Sequence, residues 1–207
     1  MSYSTLFVFD PDSKQVDEFE YGNSWLFSPT AWTILLEKYI PEEELVVSYD
    51  YRLKKSIIQN GGELIPKLND IINNCDSMVD RTIWEITMQQ VFKGSDAAFV
   101  SSCVMKFLQD NIDFIPLFDD TPVITERVKK RMMEMSNDIG NIKDNELFIH
   151  KNTSVDDTVE SYFNHKLTFN EYIKHNKIGN DFIHYADSYT TMTFTHNRDS
   201  ATECIDL

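Results

Sequence analysis

The chain has 207 residues, 42% of them apolar and 13% aromatic, and a formal net charge of −15. That length supports a buried core without covalent cross-links, and three widely separated cysteines without a C-x-x-C pair argue against a zinc site or a disulfide scaffold. No apolar run is long enough for a membrane helix and the N-terminus lacks a signal-peptide pattern, so we predict a cytoplasmic protein with reduced thiols.

The N-terminal segment predicts a β-hairpin followed by a helix. Residues 5–9 and 15–21 have the composition of strands, and Asp10 with Pro11 suits a type I turn between them. Downstream, Ser28 as N-cap and Pro29 at the first helical position predict a helix that Pro41 ends. The β-rich residues 45–53 then predict a third strand.

A helix-rich region follows from residue 63 to residue 140. Apolar residues recur there at helical spacing, and Asp80, Ser95 and Thr125 are the predicted N-caps of three helices. Residues 113–123 have loop composition and precede the last of these helices.

The remaining segments complete an α+β prediction. Residues 145–151 predict a short strand, residues 188–196 alternate like a strand that joins the N-terminal hairpin, and residues 196–207 predict a frayed tail. We predict one α+β domain over residues 1–207, in which an N-terminal β-hairpin and additional short strands pack on a mainly helical middle region, with a helical lobe at 63–140.

One short motif indicates chemistry. The apolar strand ending in Asp10 and Asp12, LFVFDPDS, resembles the first motif of haloacid-dehalogenase-like phosphotransferases. The resemblance implies that Asp10 attacks phosphorus, that Asp12 acts as general acid/base, and that carboxylates hold Mg²⁺. It also implies a later strand that ends in Ser or Thr, followed by a second acidic pair. Candidates for these positions are Ser102, Asp119 and Asp120.

The spacing of these motifs favours a solvated hairpin turn instead. Only 18 positions separate Ser101 from Asp119, whereas one βαβ unit takes roughly 30 residues. The residues around Ser101 also recur at helical spacing. A Mg²⁺-dependent phosphotransferase that uses Asp10 and Asp12 is therefore the alternative function.

Other catalytic and metal-binding patterns are missing from the sequence. The five histidines all follow residue 149 and lie 9 to 15 positions apart, which is too far for a local metal-binding pair, so we expect surface histidines. The chain has no glycine-rich phosphate loop and no nucleophile elbow. We predict no catalytic residue, metal ligand or cofactor, and interpret the basic run 127–131 as the solvated face of a helix.

Acidic residues concentrate near the N-terminus, where residues 1–50 contain ten acidic and two basic side chains. This charge disfavours direct binding to nucleic acid or membranes and permits binding to a basic protein; the alternative is acidity that only keeps the chain soluble. Acidic groups around aromatic side chains such as Tyr21, Phe27 and Trp32 would combine electrostatic steering with apolar affinity. The predicted partner-binding residues are Asp17, Glu18, Glu20, Trp25, Glu42, Glu43 and Glu44.

The leading hypothesis is a non-enzymatic acidic protein-binding module. We expect an inhibitor or immunity-type antagonist of a basic protein or of a nucleic-acid-binding complex. A low glycine content and many asparagine, isoleucine and tyrosine residues suggest AT-rich coding DNA, which favours a phage or mobile element acting against a host defence system. A further alternative is an oligomeric scaffold or assembly component, and no particular oligomeric state is predicted.

Overall fold

The computed structural model describes residues 2–10, 15–23, 27–50, 55–88 and 90–154. The strands within these ranges are β1 (Ser2–Phe9), β2 (Gln15–Asn23), β3 (Val47–Asp50), β4 (Lys55–Ile58), β5 (Val91–Lys93) and β6 (Leu147–Ser154). The helices are α1 (Phe27–Tyr39), α2 (Gly61–Asn73), α3 (Met78–Thr87), α4 (Ala97–Asn111) and α5 (Glu126–Gly140), and 3-10 turns span Glu42–Glu44 and Gly94–Asp96.

Four of the strands form an antiparallel sheet in the order β2-β1-β6-β5, and β3 pairs with β4 in a separate hairpin. The N-terminal strand therefore lies inside the sheet, where Leu6 pairs with Phe19 on one side and with His150 on the other. Around Gly22, whose φ is +76°, the pairing of β2 with β1 shifts register; only glycine adopts this conformation readily.

The main apolar core lies between one face of this sheet and the helices. Leu6, Val8, Phe92 and Phe148 point from the sheet into a cluster with buried residues of all five helices. These four side chains face the helices because side chains alternate along a strand, so that every second one points to the same side of the sheet. The α+β class, with an N-terminal hairpin and short strands on a mainly helical middle region, is confirmed. The boundaries of the domain and of the helical lobe at 63–140 stay predictions.

Several predicted helix starts differ from the structure. Helix α3 is capped by Ser77, whose hydroxyl accepts a hydrogen bond from the backbone N–H of Asp80, and Asp80 itself lies inside the helix. Ser95 belongs to a 3-10 turn before α4, and Ser28 lies within α1. The predicted cap of α5 is confirmed, since Thr125 accepts from Val128 N–H.

The later motifs implied by the phosphotransferase resemblance do not lie on strands. Ser101 and Ser102 are in α4, and Ser101 exchanges hydrogen bonds with Ser136 of α5. All strand pairings among the described residues are antiparallel, whereas βαβ units produce parallel sheets. The part of the chain that the structure describes therefore lacks the arrangement that this chemistry needs.

Three predictions fall outside the described residues: the turn at 11–14, the strand at 188–196 and the tail at 196–207. The strand predicted at 145–151 is confirmed as β6, and it pairs with β1. Within the described ranges, no helix is both long and apolar enough to cross a bilayer.

Candidate protein-binding surface

The predicted acidic residues lie on two different elements. Asp17, Glu18 and Glu20 are exposed on β2, which is an edge strand of the sheet. Charged side chains on an edge strand also discourage pairing with other chains, so their exposure has a structural explanation. Trp25 lies outside the described residues.

The second group follows α1. Glu42 and Glu43 are exposed on the 3-10 turn, whereas Glu44 forms an ion pair with Lys67 of α2, with Nζ–Oε distances of 2.5 and 2.6 Å. Because the charge of Glu44 is balanced within the fold, its side chain contributes less attraction than its two neighbours.

Asn60 fixes this turn against the start of α2. Its side-chain amide donates to the carbonyl of Glu44 at 2.8 Å and its oxygen accepts from Val46 N–H at 2.9 Å. The clamp fixes the backbone from Glu44 to Val46, and the Val46 side chain is exposed.

The aromatic residues expected to surround the acidic groups mostly face inward. Tyr21 is 4% exposed and donates its hydroxyl to Asp138 of α5 at 3.0 Å, and Phe27 is also buried. Trp32 is half-buried and packs against the core. These rings join elements of the fold and do not form the apolar part of a surface site.

Exposed apolar side chains occur instead in the loop between α4 and α5. The N–H of Val123 donates to the carbonyl of Phe114 at 3.0 Å and so closes the base of the loop. Both residues pack on the core, whereas Ile115 and Leu117, at 52% and 53% exposure, and Phe118 are exposed at the tip. A loop with this closed form presents its tip as a fixed surface.

The loop tip is attached to the acidic region through Glu37 of α1. Leu117 N–H donates to Glu37 Oε2 at 2.8 Å. Partial burial raises the pKa of the Glu37 carboxyl, the bond from Leu117 opposes this, and the charges of Asp119 and Glu42 raise it further. Asp119 and Glu42 are thus each close enough to repel the Glu37 carboxylate, which binds the exposed apolar loop tip.

We call this region the acidic–apolar face. Its acidic members come from α1, the following 3-10 turn and the α4–α5 loop, and its apolar members from the loop tip and the start of β3. They are Glu37, Glu42, Glu43 and Asp119 with Val46, Ile115, Leu117 and Phe118.

The described residues contain no cluster of three or more His, Cys, Asp or Glu side chains suited to a metal ion. Asp12 lies outside them. Of the histidines, His150 is buried rather than exposed as expected, and its Nε2 shares a hydrogen bond with Ser4 Oγ. Burial also raises the pKa of Cys103 to about 12, which makes this thiol unreactive.

The apolar part of the site is absent from the binding residues that the sequence predicts. Residues 113–123 form a loop, as predicted, and the apolar run Phe-Ile-Pro-Leu-Phe lies inside it. Large apolar residues within a loop are the signal that points to a binding surface.

Comparison of the chain with protein-family models, with curated proteins and with solved structures gives no match.

Proposed function

We propose that the protein is a non-enzymatic binding module whose acidic–apolar face binds a basic protein. The observation that carries the proposal is the bond from Leu117 N–H to Glu37, because it joins exposed apolar side chains to a carboxylate that Asp119 and Glu42 repel. A partner that brings both basic and apolar groups would relieve the repulsion and cover the apolar tip.

The two parts of the face have different roles in this proposal. Exposed carboxylates at Glu42 and Glu43 attract a positively charged partner over a distance and raise the association rate. Burial of Leu117 and Ile115 supplies most of the affinity, since burying a leucine contributes about 1.5–3 kcal/mol. Charge therefore selects the class of partner, and apolar contact stabilises the complex.

We further propose a cytoplasmic inhibitor that acts on a nucleic-acid-binding protein or complex. A basic surface that binds phosphates is complementary to a protein with a net charge of −15. The free thiols of Cys75 and Cys103 agree with a reducing compartment. Origin in a phage or mobile element that opposes host defence is the most specific form of this proposal, and the base composition inferred for the gene is its support.

The proposal is tested with purified basic nucleic-acid-binding proteins and the full chain, by measuring affinity at low and high ionic strength. We expect a complex that weakens as salt increases, and that the double variant Glu42→Lys with Glu43→Lys abolishes. Asp144→Lys is the matched control. Asp144 is exposed and lies just after the C-terminus of α5, whereas the α4–α5 loop precedes the N-terminus of this helix.

A second pair of variants tests the apolar part. Leu117→Ser should weaken the same complex by roughly tenfold or more, since it removes a leucine that binding of the partner would bury. Met133→Ser is the control for this variant. Met133 is also an exposed apolar residue, but it lies on α5 and not in the loop, so its replacement should leave affinity unchanged. If neither the Glu42 and Glu43 double variant nor the Leu117 variant weakens the complex, this function is excluded for the face. The same holds if none of the purified basic proteins binds.

A further inference from the structure

The two outer strands of the four-stranded sheet differ in length. Among the strands that the structure describes, β2 pairs with β1 alone and β5 pairs with β6 alone. β5 has three residues, whereas β2 has nine. A short edge strand offers little backbone to another chain, and a long one offers a template for pairing. β2 is therefore the edge of this sheet at which an added strand can form a ladder.

The backbone of β2 is regular where its acidic residues lie. Register shifts interrupt its pairing with β1 towards both ends, but residues 17–20 pair with residues 5–8 without a shift. Val16, which precedes this stretch, is 52% exposed. An extended segment of four or more residues can thus follow β2 in a single register.

The charge of β2 determines which segments can do so. Asp17, Glu18 and Glu20 are exposed, and the strand contains no Lys or Arg. Like charges directly opposite one another destabilise a strand pair, whereas opposite charges stabilise it. A second copy of β2 would bring acidic residues together, so this edge disfavours self-association. The same charges favour a strand that carries Lys or Arg.

One hydrogen bond of β2 shows how the added strand is accommodated. Glu18 N–H donates to the carboxylate of its neighbour Asp17, with an N–Oδ1 distance of 2.9 Å. In strand addition, main-chain hydrogen bonds supply affinity, and a carbonyl group of the added strand can replace this carboxylate as the acceptor. The displaced Asp17 side chain then becomes available to a cation of the same strand.

We propose that the β2 edge binds an extended basic segment of another protein, which adds a fifth strand to the sheet. Glu18 and Glu20 lie on one side of β2, and Phe19 lies on the other side, where it packs on the core. The matching segment therefore has basic residues two positions apart and an apolar residue between them. This surface is separate from the acidic–apolar face, so the inference does not depend on the function proposed for that face.

A synthetic peptide with lysines at alternate positions and valines between them tests the proposal on the full chain. Amide NMR should show shift changes and slower hydrogen exchange in residues 16–20 when the peptide is added. Glu18→Lys with Glu20→Lys should weaken binding roughly fivefold or more, because two attractive pairs become repulsive. Asp76→Lys with Asp144→Lys is the matched control, since it changes the net charge equally at exposed positions outside the strands and should weaken binding much less.

A second peptide separates strand pairing from attraction by charge alone. It has the same sequence but carries a methyl group on every backbone nitrogen, so it keeps its charge and donates no main-chain hydrogen bond. We expect it to lose binding, and equal affinity of the two peptides would overturn the proposal. Absence of binding by the unmethylated peptide would do the same.

The location of the response gives two further ways to contradict the proposal. If every amide of residues 16–20 is already protected from exchange in the free chain, the edge is occupied and cannot accept a strand. If the peptide changes only residues 115–119 and their surroundings, it binds the acidic–apolar face and not β2. That result would overturn this inference while it supports the proposed function.

Discussion

Leu117 and Glu37 connect two elements that are far apart in the sequence, the α4–α5 loop and α1, through one hydrogen bond of 2.8 Å. The carboxylate accepts this bond while it is repelled by the charges of Asp119 and Glu42. The loop is therefore held in place by a carboxyl group whose pKa the fold raises above its ordinary value.

Replacement of Glu37 should separate the contribution of its hydrogen bond with Leu117 from the effect of its charge. Glu37→Gln keeps an acceptor for Leu117 N–H but removes the charge, so the free energy of unfolding at neutral pH should be unchanged or raised by less than about 1 kcal/mol. Glu37→Ala removes the acceptor and should lower it by about 1 kcal/mol.

The pH dependence of the Glu37 variants has a defined sign. The pKa of Glu37 is raised in the folded state, so its stabilising contribution is present at low pH and is lost as pH rises through the folded pKa. Urea unfolding should show that, between acidic and neutral pH, the free energy of unfolding of Glu37→Gln rises relative to that of the parent. A larger loss in the Gln variant would contradict the origin of the shift.

The junction of α1 and α3 should be sensitive to Asp80. This buried carboxylate accepts from Lys38 Nζ at 2.5 Å and from the Tyr39 hydroxyl at 2.6 Å. Asp80→Ala removes the acceptor of both bonds, Oδ2, and should lower the free energy of unfolding by about 2–3 kcal/mol. The control Asp76→Ala changes an exposed carboxylate in the preceding turn and should stay within about 0.5 kcal/mol. Equal effects of the two variants would show that the buried network is not stabilising.

Acid should destabilise the protein through His150. Burial lowers its pKa from 6.5 to about 4, so the unfolded chain binds an additional proton between these two values. The stability from neutral His150 is complete above pH 6.5 and declines as pH falls towards about 4, by on the order of 3 kcal/mol.

Comparison with His150→Gln isolates this contribution from the carboxylates, because Gln does not titrate. Unfolding followed by circular dichroism from pH 7 to pH 4 should show a shallower decline for the variant than for the parent. Parallel curves would mean that the imidazole becomes protonated without unfolding the sheet around Ser4.

Local patterns predicted most of the elements, because the physics that forms them is local. Thr125 and the stripe of Val128, Met132 and Met135 define α5 by capping and by one-sided burial, and the structure agrees. Asp80 was wrongly placed as a cap because Ser and Asp are both good N-caps three positions apart, and sequence alone does not show which one is buried.

Tertiary relationships were not readable in the same way. The aromatic residues Tyr21 and Phe27 have the composition of a binding surface, yet they are buried because the sheet and α5 cover them. The acidic–apolar face joins segments near residues 37, 42 and 117, and their proximity depends on how α1 packs. The exposed charges at Glu42 and Glu43 were predicted, whereas the apolar loop beside them required the structure.

The pairing of β1 with β6 means that the sheet cannot be completed until late in synthesis. Ser2 lies opposite Ser154 and Phe9 opposite Leu147, so the first strand leaves the ribosome long before its partner exists. At roughly 5–20 residues per second, the N-terminal apolar strand waits about 7 to 28 seconds for that partner. During translation Leu6 and Phe7 therefore lack the strand that flanks them on this side, and a pause in synthesis before residue 147 would lengthen that period.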